Sequence, residues 1–442
     1  MAQTSHPSSC TVGDTLAAPP HARWNFWIIA LDASVWHVGV ALMSPSAILP
    51  FFLCRLGAGD MMIGLMVAVQ QAGWMLPQLF AASRLAHRSR KLPFLIWSCI
   101  IGRLPFLILA AVVWWMSDAW PLAVGIIFYA IFAGFWVSDA LATVPWLEIV
   151  GKGIPSGLRG RLFGAIGLFG GLASAFAGLF LVDRILEHPL LPFPKNYSVL
   201  FLAVFVFMAL STVWVALIRE PPGPVEDRSR PVHKLIAQIP QLLRRQPAFT
   251  RMLVAQFFLN AWTMAYPFLA LAATESLGEA VAVSGAFVFA ERLGATGASM
   301  IWGYLNDKLG SRFVIRGTAV TICGALALAL AIPSLLALVW MWGITLPWPP
   351  IAVFAASMFL LGSAQSGMWA GLTNYMMEVV PDAERTTYIG LKNTLGGVAV
   401  IWPAVGGWVA SAWSYETVFA ASLGGMLVGA VVTVWLPDSS NK

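Results

Sequence analysis

Long apolar stretches alternate with short polar connections along almost the whole chain. A helix needs roughly 20 apolar residues to cross the hydrocarbon core of a bilayer, and twelve stretches of the sequence are long and apolar enough. The predicted spans, numbered 1 to 12, are 24–53, 61–83, 93–115, 120–147, 160–182, 198–218, 252–273, 281–302, 314–333, 351–376, 387–411 and 416–436. This pattern predicts an all-α polytopic membrane protein with twelve transmembrane helices.

An internal repeat divides these spans into two sets of six. The segment 154–164 recurs as 380–390, with its proline, arginine and final glycine in the same places and a pair of glycines following at the same distance. Residues 23–32 likewise match residues 251–260. The glycines are typical of close packing between membrane helices. We therefore expect two six-helix bundles related by pseudo-symmetry.

The spans and the polar segments define four predicted regions. Residues 1–22 are polar and contain no apolar core of signal-peptide type, so we expect a disordered tail. Residues 23–219 form the first bundle and residues 251–437 the second. Between them, residues 220–250 are a proline-rich linker that ends in an amphipathic pattern, which favours a helix lying on the membrane surface.

Composition and charge support a membrane protein and indicate its orientation. The chain is 59% hydrophobic and only 10% charged, with a formal net charge of +6. Lys and Arg concentrate in alternate connections, at 84–91, 152–161, 219–251, 308–316 and 385–392. Cytoplasmic loops carry such an excess. We therefore expect both termini in the cytoplasm and a multi-pass protein of the plasma membrane, in a bacterium the inner membrane.

Charged residues interrupt the apolar spans of the first half. Span 1 contains Asp32, Trp36 and His37, and Arg103 lies near the middle of span 3. Because charge is costly in hydrocarbon, these side chains are expected to face protein or a water-filled cavity. Asp32 either makes a structural hydrogen bond or binds substrate or a proton. Arg103 either pairs with a carboxylate such as Asp32 or Asp139 or binds an anionic substrate.

Polar and aromatic residues also interrupt spans 4, 7, 8 and 10. Trp136 and Asp139 are three residues apart and share one face of span 4. In span 8 the adjacent Glu291 and Arg292 point about 100° apart, so we expect one to face the cavity and the other a neighbouring helix. The remaining candidates for binding substrate or protons are Asn260, Trp262 and Tyr266 in span 7 and Gln365 and Trp369 in span 10.

A short motif follows span 8. In the pattern, a Gly is followed after three residues by Asp and then by Lys or Arg. One residue further on comes a second Gly, and after one more residue an Arg. Here these positions are Gly303, Asp307, Lys308, Gly310 and Arg312. The pattern resembles the cytoplasmic loop motif of the major facilitator superfamily of transporters, and the resemblance covers residues 23–436. It implies two six-helix halves, a central cavity lined by spans 1, 4, 7 and 10, and a protein that is not an enzyme.

The resemblance also implies a gate at the cytoplasmic end. In that family the acidic residue of the loop helps to latch the two halves, a role that falls here on Asp307. The other candidates for this gate are Glu148, Arg159, Gly303, Lys308, Gly310, Arg312 and Arg385. The corresponding first-half segment, 81–91, has no Asp and no conforming glycines. The latch is therefore expected on one side of the interface only.

Several kinds of site are not indicated by the sequence. It contains no Gly-rich phosphate loop of the ATP-driven pumps and no Cys and His spacing typical of a metal site. The four cysteines are scattered, so we expect free thiols. We expect no cofactor, no metal and no nucleic-acid partner. The expected partners are a small-molecule substrate, protons and the lipid bilayer, with the chain a monomer.

These observations together predict a secondary transporter that moves a small organic solute by alternating access. A proton is the expected coupling ion, with Asp32 as the first candidate and Glu291 as the second, because both can titrate. The aromatic spans favour an amphipathic or moderately polar substrate, and the arginines leave room for an organic anion. The alternative is a transporter-like assembly or partner-binding factor whose polar residues only hold the bundle together.

Overall fold

Helices form almost all of the ordered structure of this chain. The computed structural model describes residues 21–78, 80, 85, 88–223, 232–277, 284–341, 348–381 and 385–437. Nearly all of the predicted tail, and the proline-rich part of the linker, lie outside these residues. Within the described ranges no strand occurs, and nine helical segments are long and apolar enough to cross a membrane. Spans 1, 2 and 8 contain shorter or more polar helices.

All twelve predicted spans contain helix, as the sequence predicted. In the first half they are Ala22–Ala41 with Leu49–Arg55, Asp60–Met75, Leu92–Arg103 with Pro105–Met116, Pro121–Gly153, Ser156–Leu186 and Lys195–Ala216. In the second half they are Pro247–Leu259 with Asn260–Met264 and Leu269–Leu277, Ser284–Leu309, Ser311–Met341, Trp348–Val379, Arg385–Gly396 with Gly397–Val400 and Ile401–Ala412, and Tyr415–Val434. A separate helix, Val232–Arg245, precedes span 7.

The two halves pack their helices in the same order. In the first half span 1 packs on span 6, span 2 on span 4, and span 3 on spans 4 and 6. In the second half span 7 packs on span 12, span 8 on span 10, and span 9 on spans 10 and 12. These contacts of one half have their counterparts in the other, as the predicted pseudo-symmetry requires.

The main packing between the halves joins span 2 with span 11 and span 5 with span 8. Small residues allow these helices to approach closely. A methyl group on Gly64 would collide with the backbone of span 11 at Gly407, and one on Gly178 would collide with Val288 of span 8. The glycine pair of the repeat lies here too, since Gly171 faces Thr296. The repeated motif therefore serves helix packing.

The halves are in contact at one end of the bundle, whereas toward the other end spans 5 and 8 part and spans 2 and 11 stay joined through Asn393 and Gln78. An even number of spans places both termini at one end, here named the basic end. At the opposite end, Tyr415 donates to Asp60 at 3.1 Å and the Gly285 amide donates to Asp183 at 2.9 Å. Toward the basic end, Gly164 in span 5 faces open space, as does Gly303 in span 8. Spans 5 and 8 are therefore apart toward the basic end.

A buried carboxylate from the start of the linker stabilises the basic end of the first half. Glu220 accepts hydrogen bonds from the amides of Lys91 and Leu92, at 2.9 and 2.8 Å, where the first helix of span 3 begins. Lys152 approaches the same carboxylate at 3.4 Å. A negative charge at a helix N-terminus is favourable, and here it comes from a residue far along the chain.

We expect Glu220→Ala to lower the apparent melting temperature of the purified chain, because two amides and Lys152 lose their acceptor. The loss corresponds to about 1–3 kcal/mol. Glu187→Ala, which removes an exposed carboxylate at the opposite end, should leave the melting temperature almost unchanged. Equal effects of the two substitutions would contradict the capping role of Glu220.

Candidate functional site

The carboxylate of Asp32 is buried inside the first half and accepts two hydrogen bonds there. Its Oδ1 accepts from Ser211 Oγ at 2.5 Å, and its Oδ2 accepts from Trp146 Nε1 at 2.9 Å. Ser211 lies in span 6 and Trp146 in span 4, so Asp32 connects three spans. The structural hydrogen bond that the sequence offered as one alternative is present. The binding role remains a prediction.

Arg103 is buried beside the same serine. Its Nη1 donates to three groups of span 6, which are Met208 O at 3.1 Å, Ser211 Oγ at 3.1 Å and Thr212 Oγ1 at 2.8 Å. The guanidinium acts electrostatically on both Asp32 and Asp139. In the part of the chain that the structure describes, however, no carboxylate forms an ion pair with it. Ser211 therefore couples this cation to Asp32.

Asp139 is held by a tryptophan of the neighbouring span. Trp36 Nε1 donates to its Oδ1 at 3.0 Å, which links span 1 to span 4. Trp136, predicted on the same face of span 4, is buried and packs edge-to-face on Phe135. Its indole nitrogen is buried with no hydrogen-bond partner among the described residues. Asp139 thus belongs to the polar network of the first half, whereas Trp136 packs in its core.

Glu291 makes one hydrogen bond within its own half and one that crosses to the other half. Its Oε1 accepts from Tyr266 OH of span 7 at 2.8 Å. Its Oε2 accepts from Ser46 Oγ at 2.6 Å, and Ser46 lies in the break between the two helices of span 1. The carboxylate is fully enclosed. Of the adjacent pair in span 8, Glu291 is therefore the residue that faces the interface between halves.

Arg292 is the partly buried member of that pair. Its Nη2 lies 4.0 Å from Glu291 Oε1, and its Nε is buried without a hydrogen-bond partner among the described residues. It is close enough to His37 of span 1 to act on it electrostatically. His37 Nδ1 is 2.7 Å from the carbonyl of Ala33, and its ring meets Trp36 edge-on. A second set of titratable groups thus lies between the halves.

Span 7 contributes neutral residues to the same region. Its helix tightens over Asn260–Met264, and Asn260 donates only to the carbonyl of Gln256 in its own helix, at 2.8 Å. Trp262 and Tyr266 are buried with their rings 5.1 Å apart. Asn260 therefore has a local hydrogen bond where its counterpart Asp32 connects three spans.

The candidates in span 10 lie on one face of their helix. Gln365 is half-buried, and Trp369, one turn later, is 64% exposed. Thr373, a further turn along, accepts a hydrogen bond from Lys392 of span 11 at 2.7 Å. Because that face receives a buried ammonium group, it points into the protein rather than into lipid. Trp369 is therefore exposed on the face of span 10 that contacts span 11.

The predicted gate residues are separated in this structure. Glu148 pairs with Lys91 of its own half, and Arg159 donates to the carbonyls of Gly151 and Ile154. Asp307 and Lys308 are exposed, with no ion pair among the described residues.

The rest of the motif shapes the end of span 8. Gly303 is exposed, and Arg312 donates to the carbonyl of Leu436 at 3.1 Å. Gly310 ends the helix with φ of +81°, a conformation that favours glycine. The side chain of Arg385 lies outside the described residues. The gate therefore remains a prediction for a state in which the basic end is closed.

Sequence reasoning missed several residues that complete these networks. Ser46, Trp146 and Ser211 are neutral, and nothing in the local sequence distinguishes them from packing residues. Lys392 was counted with the basic cluster 385–392, and this assignment was wrong, because the residue is buried within span 11. The polar neighbours of a charged residue could be found only by knowing which spans touch.

Comparison with known proteins identifies the fold. A sequence model described as Major Facilitator Superfamily matches residues 330–442. No curated protein sequence matches the chain significantly.

Solved structures match over nearly the whole chain. A mutant form of the nucleoside transporter NupG is 14% identical with a TM-score of 0.69, covering 94% of this chain and 100% of that one. A bacterial homologue of the iron transporter ferroportin in an inward-facing state is 14% identical with a TM-score of 0.66, covering 95% and 99%.

A D-xylose–proton symporter is 13% identical with a TM-score of 0.63, covering 94% of this chain and 98% of that one. All three are named as transporters. The chain therefore has the fold of the major facilitator superfamily, and the resemblance predicted from its motif, repeat and charge pattern is confirmed.

Proposed function

We propose that the chain is a secondary transporter that moves a small organic solute across the membrane by alternating access. The observation that carries this proposal is the arrangement of spans 5 and 8, which touch at one end and part at the other, with Glu291 buried where the halves meet. Spans 5 and 8 make contact from Asp183 and Gly285 down to Gly171 and Thr296. Rocking about such an interface would expose the same central groups to the two sides in turn.

The solute would bind between the halves, beside the face of span 10 that carries Gln365 and Trp369. Trp262 and Tyr266 supply aromatic surface near Glu291. Aromatic surface with a few placed polar groups suits an amphipathic or moderately polar molecule. The similar structures include transporters named for nucleosides and for a pentose, and we include both classes among the compounds to be tested.

Proton coupling is the second part of the proposal, and the geometry favours Glu291 over Asp32 as the coupling group. Both hydrogen bonds of Asp32 stay within the first half. Those of Glu291 reach Tyr266 in its own half and Ser46 in the other. The ionised carboxylate accepts both bonds, whereas the protonated form has one oxygen that is a poorer acceptor. A proton on Glu291 would therefore weaken the link between the halves.

The third part concerns orientation. We propose that the basic end faces the cytoplasm, because it carries the clustered Lys and Arg residues and because such clusters remain inside during insertion. Cys54 lies at the opposite end and is exposed, whereas Cys99 is buried. Cys54 therefore provides a natural marker for the outer surface.

The main function is tested by thermal stabilisation of the purified chain with nucleosides, pentoses and aromatic acids. We expect at least one compound to raise the apparent melting temperature, and Trp369→Ala to weaken its binding about tenfold or more, within the range of losses found when a central aromatic contact is removed. Trp115→Ala, which removes an exposed tryptophan of span 3, is the matched control. Failure of every compound, with co-purification of one membrane partner, would instead favour the assembly-factor alternative.

Proton coupling is tested in vesicles that contain a pH-sensitive dye and receive a gradient of the stabilising compound. We expect Glu291→Gln to abolish compound-driven proton flux while it retains exchange of labelled for unlabelled compound, since exchange requires no net proton movement. Asp32→Asn should keep the flux if its fold is intact. Loss of flux in Asp32→Asn, together with normal flux in Glu291→Gln, would reverse the assignment.

Orientation is tested by labelling intact cells with a membrane-impermeant maleimide. We expect a variant that keeps only Cys54 to react from outside, and a variant that keeps only Cys10 to react only after the cells are opened. Labelling of Cys10 in intact cells would show that the basic end faces outward.

A further inference from the structure

Lys392 is a cation in the interior of the second half. Only 6% of its surface is exposed, and it lies within the membrane-spanning part of span 11. Its Nζ donates to Thr373 Oγ1 of span 10 at 2.7 Å. An ammonium group has three donors, and a single hydroxyl oxygen compensates poorly for the water that burial removes.

The described residues supply no counter-ion for this ammonium group. Their ion pairs are Lys91 with Glu148, Lys152 with Glu220, and Arg292 with Glu291. The buried carboxylates of the spans hold other donors, as Asp32, Asp139 and Glu291 do in the networks above. Buried charges in proteins are normally paired, so among the described residues Lys392 is short of one negative charge.

The neighbours of Lys392 indicate what could bring that charge. Thr373 follows Trp369 by four residues, so both lie on one face of span 10, and Trp369 is 64% exposed. The next residue of span 11, Asn393, donates to Gln78 of the other half at 2.9 Å. An anionic group at Lys392 would therefore lie beside an exposed aromatic ring and next to a contact between the halves.

We propose that Lys392 binds the carboxylate or phosphate group of a small organic anion whose apolar part packs on Trp369. This inference rests on the proposed transport function and specifies the substrate class. The bound anion would supply the counter-ion of Lys392. Because Asn393 bonds to Gln78 of the other half, the affinity for the anion would change when the halves move. A neutral solute would leave the ammonium group without a counter-ion.

The proposal is tested on the full chain in detergent with benzoate, indole-3-acetate and phenyl phosphate, each compared with a neutral counterpart such as benzamide or indole-3-acetamide. We expect at least one anion to raise the apparent melting temperature and to bind at least tenfold more tightly than its neutral counterpart. Lys392→Met should lose this preference and Lys392→Arg should keep most of it. Lys195→Met, which removes an exposed lysine at the opposite end, should behave like the wild type.

A second measurement requires no ligand. Because the described residues give the buried ammonium group no counter-ion, Lys392→Met should raise the melting temperature of the ligand-free chain, whereas loss of a structural ion pair would lower it. A lower melting temperature contradicts the proposal. So does an unchanged preference for anions in Lys392→Met, or stabilisation by phosphatidylglycerol alone. If neutral solutes bind and are transported by wild type and Lys392→Met alike, this inference fails while the transport function stands.

Discussion

The cost of placing charge in hydrocarbon determines where the charged residues of the spans lie. Each of them is enclosed by protein or faces the opening between the halves. In the first half, Ser211 and Trp146 bond to Asp32, Ser211 also accepts from Arg103, and Trp36 separately bonds to Asp139. Because these bonds connect spans within one bundle, the first half can move as a rigid unit.

The interface between the halves has a different character. Its helix contacts depend on glycine, and its hydrogen bonds are few and reach from one bundle to the other. Glu291 with Ser46, Asp60 with Tyr415, and Asp183 with the Gly285 amide are examples. A small number of such bonds can be exchanged at modest cost, since each contributes about 0.5–1.5 kcal/mol net. Rigid halves joined by a replaceable interface are what alternating access requires.

The sequence was sufficient to predict the twelve spans, their pseudo-symmetry and the fold, because apolar length and repeated motifs can be recognised without knowing which spans touch. It also located the charged residues of the spans. It could not identify their partners, since Ser46 and Glu291 are far apart in the chain and meet only when the halves assemble. Lys392 was misplaced because a rule based on charge position treats it like its neighbours, although its helix carries it inside.

The central claim is that the two ends of the bundle open alternately. Distances between pairs of spin labels can be measured by electron paramagnetic resonance. A pair at positions 163 and 304 reports on the basic end, and a pair at positions 187 and 275 reports on the opposite end. Removing the bonds of Asp60 and Asp183 by alanine substitution should favour the other state. The account predicts longer distances at the opposite end together with shorter distances at the basic end. Unchanged distances, or lengthening at both ends, would contradict it.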